Sequence, residues 1–297
     1  MLFLELKVSF SIEDTIERDR DLSSALRGVW GRVLRSNFCY QKNLECSECN
    51  FENCTYFVLF EKKYSISEQY HPYIIQACFL EPGLIQARFK FFGWVCEHYE
   101  KLLYSIIKMN GRKLMLQGKE YIMELQSIED REGRALFTRF SEKIKRPKLI
   151  ELDFEPEECS AVEIKFKTPL RQKEGGSLMP NFQWEPFAKS LIHRIRFINK
   201  HFNRDELPIP EHIDISSTLV SESEVYWSEK PRHSFRQDSK MSIGGLLGKV
   251  RVEDISPEMM AILKLGTYLH CGKQCTFGNG EIELKKMSDL EERQSYH

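Results

Sequence analysis

Apolar residues in the first dozen positions fall on alternate sites. Leu2, Leu4, Leu6, Val8 and Phe10 share one face with period two, the pattern of a half-buried strand over residues 2–12. The period then lengthens. In DLSSALRGVWGRVLRSN the residues Leu22, Ala25, Leu26, Val29, Trp30, Val33 and Leu34 follow a helical stripe, with Ser23 or Ser24 as its cap. TYFVLFEKK and PYIIQACFL read as strands, as does QARFKFF over 86–92. WVCEHYEKLLYSIIKMN reads as a helix that Gly111 ends, and GKEYIMELQSIED as a further strand. AVEIKFKTPL opens a second series. A Gly-Gly loop follows it, and Pro186 stands in the first turn of a long helix ending near Phe202. Residues 221–228 and 241–253 read as strands, and 256–270 as a helix. A Gly-rich turn, a last strand and a polar tail expected to fray after about residue 286 complete the chain.

Each half therefore runs strand, helix, strands, helix, strand, the element order of the βαββαβ plait. The expected class is α+β, with two tandem ferredoxin-like (RRM-like) domains over 1–150 and 151–297. The boundary is set in the segment Lys145 to Glu158, which holds two prolines and the acidic run ELDFEPEE. A length of 297 residues suits two domains of about 150 each.

Composition narrows the classes further. Apolar residues make up 41% and charged residues 29%, a globular balance that excludes wholesale disorder, collagen and a disulfide miniprotein. Lys plus Arg is 43 against 44 for Asp plus Glu, so any nucleic-acid surface has to be local. No run of 18 apolar residues exists, and the alternating opening segment has no basic head, so neither a membrane span nor a signal peptide is expected. With nine cysteines and no export signal, free thiols in a reducing compartment are the expectation, and the location expected is cytoplasmic.

Four of those cysteines, Cys39, Cys46, Cys49 and Cys54, fall in one loop with spacing C-x6-C-x2-C-x4-C. Four thiolates on a short loop can close a tetrahedron around zinc, and an iron–sulfur cluster needs the same ligands. The plain alternative is four free thiols, or one disulfide pair, in a hydrophilic loop. A closed four-thiolate site would be structural, because it keeps no open position for chemistry.

Two stretches of the second half are basic. Lys189, His193, Arg196 and Lys200 follow at i, i+4, i+7 and i+11 on the long helix, and no acid occurs from Pro186 to Arg204. A phosphate backbone is met by such a row, although a solvated helix face is the commoner reason for one. KPRHSFRQDSKMSIGGLLGKVR holds six Lys or Arg against one Asp, with His233, Arg236 and Lys240 inside it. HCGKQCTFGNG then sets His270, Gly272 and Lys273 before Phe277, Gly278 and Gly280. The glycines of this loop (272–280) would let backbone approach a phosphate and offer it N–H donors, and an ordinary hairpin turn would need no ligand.

The blocks ALRGVWGRVLRSNFC, C-x2-C-x4-C and TYFVLFE together resemble the amino-terminal half of the CRISPR repeat-processing endoribonucleases of the RAMP superfamily. HSFRQDSKMSIGGLLGKV followed by LKLGTYLHCGKQCTFGNGEIEL resembles their RNA-binding half, and the last block is the most specific. The resemblance implies two ferredoxin-like domains that bind the repeat hairpin of CRISPR precursor RNA and cut it. The implied chemistry needs no metal: a 2′-hydroxyl attacks the adjacent phosphorus, leaving a 2′,3′-cyclic phosphate and a 5′-hydroxyl. Such a step wants a base, an acid and a cation for the phosphorane charge. Relatives often carry a catalytic histidine in or just after the first helix, where this chain has Tyr40 and Lys42 and no histidine before His71. A tyrosine is a poor base at its ordinary pKa. His270 and His233 are therefore the expected proton-transfer residues, with Lys273 or Arg236 as the cation and Tyr40 as a further candidate. Arg27, Lys189, Arg196, Lys200, Arg236, Lys240, Gly272, Gly278 and Gly280 are the expected RNA contacts. No cofactor is expected for catalysis, no DNA as partner, and other CRISPR-associated effector or adaptation proteins as further partners. The competing readings are a non-catalytic RNA-binding subunit of a CRISPR effector complex and a protein-interaction module built on the cysteine loop.

Overall fold

The structure is a computed structural model that describes residues 1–13, 22–49, 51, 54–63, 70–116, 118–229, 231–234, 239–242 and 244–286. The chain divides into two compact units, one over Leu2–Glu151 and one from Leu152 onward together with Met1.

The first unit holds β1 (Leu2–Ile12), α1 (Leu22–Phe38), a π-helical turn at Phe57–Glu61, β2 (Tyr73–Glu81) and β3 (Leu84–Phe92). A 3-10 turn (Gly93–His98), α2 (Tyr99–Ile107), β4 (Lys113–Leu116), β5 (Lys119–Asp130), β6 (Ala135–Thr138) and the short β7 (Ile150–Glu151) follow. The sheet runs β2-β3-β1-β5-β4, with β6 added beside β5 and β7 beside β1, and every pairing is antiparallel. Trp30 of α1 is the centre of the core. It is fully buried among the rings of Phe60, Tyr73, Phe89 and Phe91 at 5.1–5.9 Å, and its Nε1 donates to Ser105 Oγ of α2 at 2.8 Å. A buried indole N–H needs that partner.

Residues 55–63 are not the strand their β-branched and aromatic content suggests. Val58 N–H donates to Cys54 O, and the Tyr56 and Phe60 rings stack at 5.3 Å, so an i, i+4 pairing replaces the extended period. Phe60 fits against α1 because position 31 is glycine, where a Cβ would lie 2.8 Å from that ring.

The second unit holds β8 (Cys159–Leu170), the two-residue hairpin strands β9 (Lys173–Glu174) and β10 (Ser177–Leu178), α3 (Trp184–Phe202) and β11 (Leu219–Ser228). The hairpin β12 (Pro231–Ser234) and β13 (Ser239–Ser242), then β14 (Gly245–Ile255), α4 (Pro257–Leu269) and β15 (Ile282–Lys286) complete it. Its sheet order is β11-β14-β8-β15, again antiparallel throughout. Both units therefore share one strand order, with the second and third strands outside the first and the last strand on its other side. That is the ferredoxin-like plait, twice. The expected strand over 241–253 is divided between β13 and β14, because Gly244 and Gly245 leave no room for side chains against Trp227, Pro169 and Leu170. Among the described residues no helix is long and apolar enough to cross a membrane.

Candidate functional site

The glycine loop is built by its own backbone. α4 ends at Leu269, and His270 takes a positive φ of 60° while its N–H still closes on Gly266 O at 2.9 Å. From there the chain is fastened to the end of β8. Cys271 N–H donates to Gly280 O (2.9 Å), Lys273 N–H to Arg171 O (3.0 Å) and Gly280 N–H to Pro169 O (3.1 Å). Thr168 Oγ1 donates to Gly278 O at 2.7 Å and accepts from Glu281 N–H at 2.8 Å. A Cβ on Gly280 would lie 1.8 Å from Cys271 O, and one on Gly272 would lie 2.6 Å from Arg171 O. Backbone packed on backbone demands these glycines.

This arrangement corrects two expectations. The N–H groups of Gly278 and Gly280 are already donated, the first to Cys275 O at 2.8 Å, so they are not a free cradle for phosphate. His270 is 0% exposed, with its ring Nδ1 3.1 Å from Asn279 O, so its imidazole is a packed interior group. Lys273 keeps an exposed side chain on the same loop. Cys271 and Cys275 are interior as well, and burial pushes both thiols up, which makes them poor nucleophiles.

The basic row of α3 is partly committed. Arg194 is 2% exposed and donates from Nε to Leu269 O at 2.7 Å, closing the end of α4. Lys189 pairs with Glu185 one turn earlier, an acid just outside the stretch that read as purely basic. Arg196 donates to the carbonyls of Pro210 and Glu211 and pins that loop to the helix. For Lys189 and Arg196 the structure thus supplies local partners where phosphate contacts were expected. Lys200 and His193 remain exposed. The open face of the second sheet is also mixed in sign: Lys249 pairs with Glu163 (3.1 Å) and Glu224 (3.7 Å), Arg251 with Glu253 (3.0 Å), and Lys167 with Glu283 (3.3 Å).

In the hairpin β12–β13, His233 stands directly opposite Lys240 in the ladder. Arg236 lies outside the described residues, and so do the side chains of His233 and Lys240.

In the first unit Arg27 is half-buried, where an exposed RNA contact was expected. Its Nε donates to Tyr73 OH at 2.8 Å and its guanidinium lies 4.8 Å from the Phe60 ring centroid. Burial pushes the Tyr73 hydroxyl up to about 12, against the pull of Arg27. Tyr40, just past α1, is 81% exposed and meets Phe51 edge-on at 5.6 Å.

Among the described residues of the cysteine loop, Cys39 N–H bonds Arg35 O, and turns carry Leu44, Glu48 and Cys54. Cys39, Cys46 and Cys49 are half-buried and Cys54 is buried, all four as free thiols. Burial raises the Cys46 thiol, followed by Glu61, and the Cys39 and Cys54 thiols are near enough to add to it. Among the described residues no three His, Cys, Asp or Glu side chains stand in metal-holding geometry.

One feature was missed in the sequence. Phe38, Tyr99, Leu103, Tyr104 and Ile144 line a cleft of about 450 Å³ whose rim carries Lys101, Lys145 and Arg146. The signal was YEKLLYSIIK, in which a core stripe and an aromatic-basic face share one helix.

Residues 1–149 match a family model described as an N-terminal domain, and residues 164–282 match that of the CRISPR-associated endoribonuclease Cas6. No curated protein matches the chain. Among solved structures, a Cas6 product complex is 13% identical with a TM-score of 0.61, covering 96% of this chain and 99% of the other. Thermus thermophilus Cas6 is 13% identical with a TM-score of 0.55, covering 96% and 98%. A partial Cas6-RT-Cas1–Cas2 complex is 13% identical with a TM-score of 0.51, covering 96% of this chain and 46% of that one. With one family model spanning its first unit, the Cas6 endoribonuclease model matching most of its second, and the tandem plait in both, the chain is a Cas6-like CRISPR repeat-processing protein.

Proposed function

We propose that this protein binds the repeat hairpin of CRISPR precursor RNA and cleaves it without a metal cofactor, by attack of a 2′-hydroxyl on the adjacent phosphorus. The products are a 2′,3′-cyclic phosphate on one fragment and a 5′-hydroxyl on the other. The observation that carries this reading is the Cas6 domain over 164–282, set on a chain whose two units repeat one plait. With His270 in the interior, His233 is the histidine left for proton transfer among the expected residues. It stands opposite Lys240 in the β12–β13 ladder, and proton transfer at a phosphate uses a histidine together with a cation. Lys273, exposed on the glycine loop, is the further cation for the phosphorane charge, and Tyr40 is an exposed hydroxyl just past α1, where relatives often carry a histidine. Lys200, Arg236 and Lys240 are the phosphate contacts we retain. Relatives were solved as a product complex and within a Cas6-RT-Cas1–Cas2 complex, which supports repeat RNA and CRISPR-associated proteins as partners here. A cytoplasmic location accords with these partners.

Purified protein incubated in EDTA with a labelled repeat hairpin tests the reading. A single cut in the ribose substrate, absent from a 2′-deoxy copy, is expected, and His233→Ala should slow it by roughly 100-fold or more. A cut that needs a divalent ion or leaves a 3′-hydroxyl would overturn it. Tight binding without a cut would instead identify a non-catalytic RNA-binding subunit, which the interior place of His270 favours among the alternatives.

The cysteine loop is proposed as a structural zinc site of Cys39, Cys46, Cys49 and Cys54. Its support is the spacing C-x6-C-x2-C-x4-C. Closing four thiolates on one ion would draw the loop together, and ligand binding of this kind is coupled to local folding.

A further inference from the structure

The cleft of the first unit has no role in the chemistry proposed above. Its floor is aromatic and apolar: Phe38 from the end of α1, Tyr99, Leu103 and Tyr104 from α2, and Ile144 from the segment after β6. Phe38 meets Tyr104 edge-on at 6.0 Å, yet Tyr104 keeps 41% and Ile144 47% of their surfaces exposed. Large apolar groups left open inside one concavity mark a binding site more often than isolated ones do.

The rim is cationic. Lys101, Lys145 and Arg146 are exposed around the floor, against the one carboxylate Glu100. The Arg146 guanidinium lies 5.5 Å from the Tyr99 ring centroid, and Lys108, one turn beyond Tyr104, lies 5.1 Å from that ring. Aromatic rings interleaved with cations, in a chain of net charge −1, concentrate positive potential on this small area. The ligand chemistry that matches both floor and rim is a planar base joined to a phosphodiester. Bases stack on exposed tyrosines, and neighbouring phosphates are met by Lys and Arg. A purely apolar partner would leave the three cations without counter-charge.

We infer that this cleft binds unpaired nucleotides of single-stranded RNA, stacking a base on Tyr104 or Tyr99 while Lys101, Lys145 and Arg146 hold the flanking phosphates. The inference rests on the reading of the chain as an RNA-processing enzyme and adds a site for unpaired strand beside the hairpin.

The test uses the full chain and two RNAs: a short unstructured oligonucleotide carrying 2-aminopurine, and the labelled repeat hairpin. Wild type should quench the 2-aminopurine on binding. Tyr104→Leu keeps the packing on Phe38 and removes the stacking face, and it should weaken the oligonucleotide roughly 5- to 100-fold. Lys145→Glu with Arg146→Glu, both on exposed positions, should weaken it similarly and flatten the salt dependence. Oligonucleotide binding unchanged within twofold in both variants would overturn the inference, as would its absence in wild type. Displacement of a bound acidic, aromatic-rich peptide, with no effect of the variants on RNA, would assign the cleft to a protein partner and also overturn it. Hairpin cleavage by wild type, read in parallel, separates this failure from that of the enzyme reading: a chain that cuts the repeat but ignores the oligonucleotide loses only the cleft.

Discussion

The cysteine loop and the glycine loop each follow a helix, and both read from sequence as places made for a ligand. They are held in opposite ways. The glycine loop is fixed by a closed set of backbone bonds at the end of β8, and Gly272 and Gly280 stand where any Cβ would strike a carbonyl. Among its described residues the cysteine loop has separate turns at Leu44, Glu48 and Cys54 and four free thiols, with no comparable closed set of backbone bonds. A loop that has spent its donors on its own fold presents side chains and shape. A loop that has not can be organised by what it binds.

The sharpest way to break this contrast is Gly280→Ala. The substitution combines a left-handed φ of 71° with a Cβ 1.8 Å from Cys271 O, and should cost about 3 kcal/mol from the backbone penalty and overpacking together. Gly118→Ala, with φ of 78° and nothing within 4 Å, should cost only about 1 kcal/mol. Urea denaturation of both proteins measures the difference, and equal losses would show that the glycine loop is not sterically fixed.

His270→Ala comes next. Removing a fully buried ring bonded near Asn279 O should lower stability by about 2 kcal/mol. Cleavage per folded molecule should stay within about threefold of wild type, whereas loss of a proton-transfer group would cost roughly 100-fold. Single-turnover kinetics below the unfolding temperature distinguishes these outcomes.

On the other loop, metal analysis of protein purified without added metal should find one zinc per chain. Its removal by a chelator should increase hydrogen exchange over residues 39–54 and leave 270–281 protected. Exchange that is unchanged in 39–54 would leave the thiols without a structural metal.

The smallest effect concerns acid. Hydrogen bonds from Lys264 and Lys286 hold the Glu157 carboxyl down at about 2, below its ordinary 4.5. A carboxylate depressed in the folded state stabilises it above the unfolded value, and that stabilisation fades as pH falls from 4.5 toward 2. Glu157→Gln should therefore flatten the acid limb of the stability curve in that window, lowering stability slightly above pH 6 and converging with wild type toward pH 2, as thermal midpoints in a buffer series would show.

Much of the fold was legible because period and burial agree. The stripe through Trp30 and the alternation of β1 each follow one face of one element, and both plaits emerge from the order of such segments. Residues 55–63 were misread because their β-propensity was outweighed by one i, i+4 ring stack and by the space at Gly31. The site was less legible. His270 and Arg194 carry polar groups in stretches with other cations, and nothing local tells an exposed cation from one that caps a helix end in the core. Lys189 looked unpaired because its partner Glu185 stands before the helical stripe begins.

Arg194 also sets the terms on which the glycine loop could be moved. Its Nε reaches across from α3 to the last carbonyl of α4, where the loop begins, while Thr168 receives the loop's other end from β8. A graft of residues 270–281 into another scaffold would carry the motif and leave behind the two anchors that shape it. Such a graft would need an arginine and a threonine at matching places on neighbouring elements before its glycines could trace the same path.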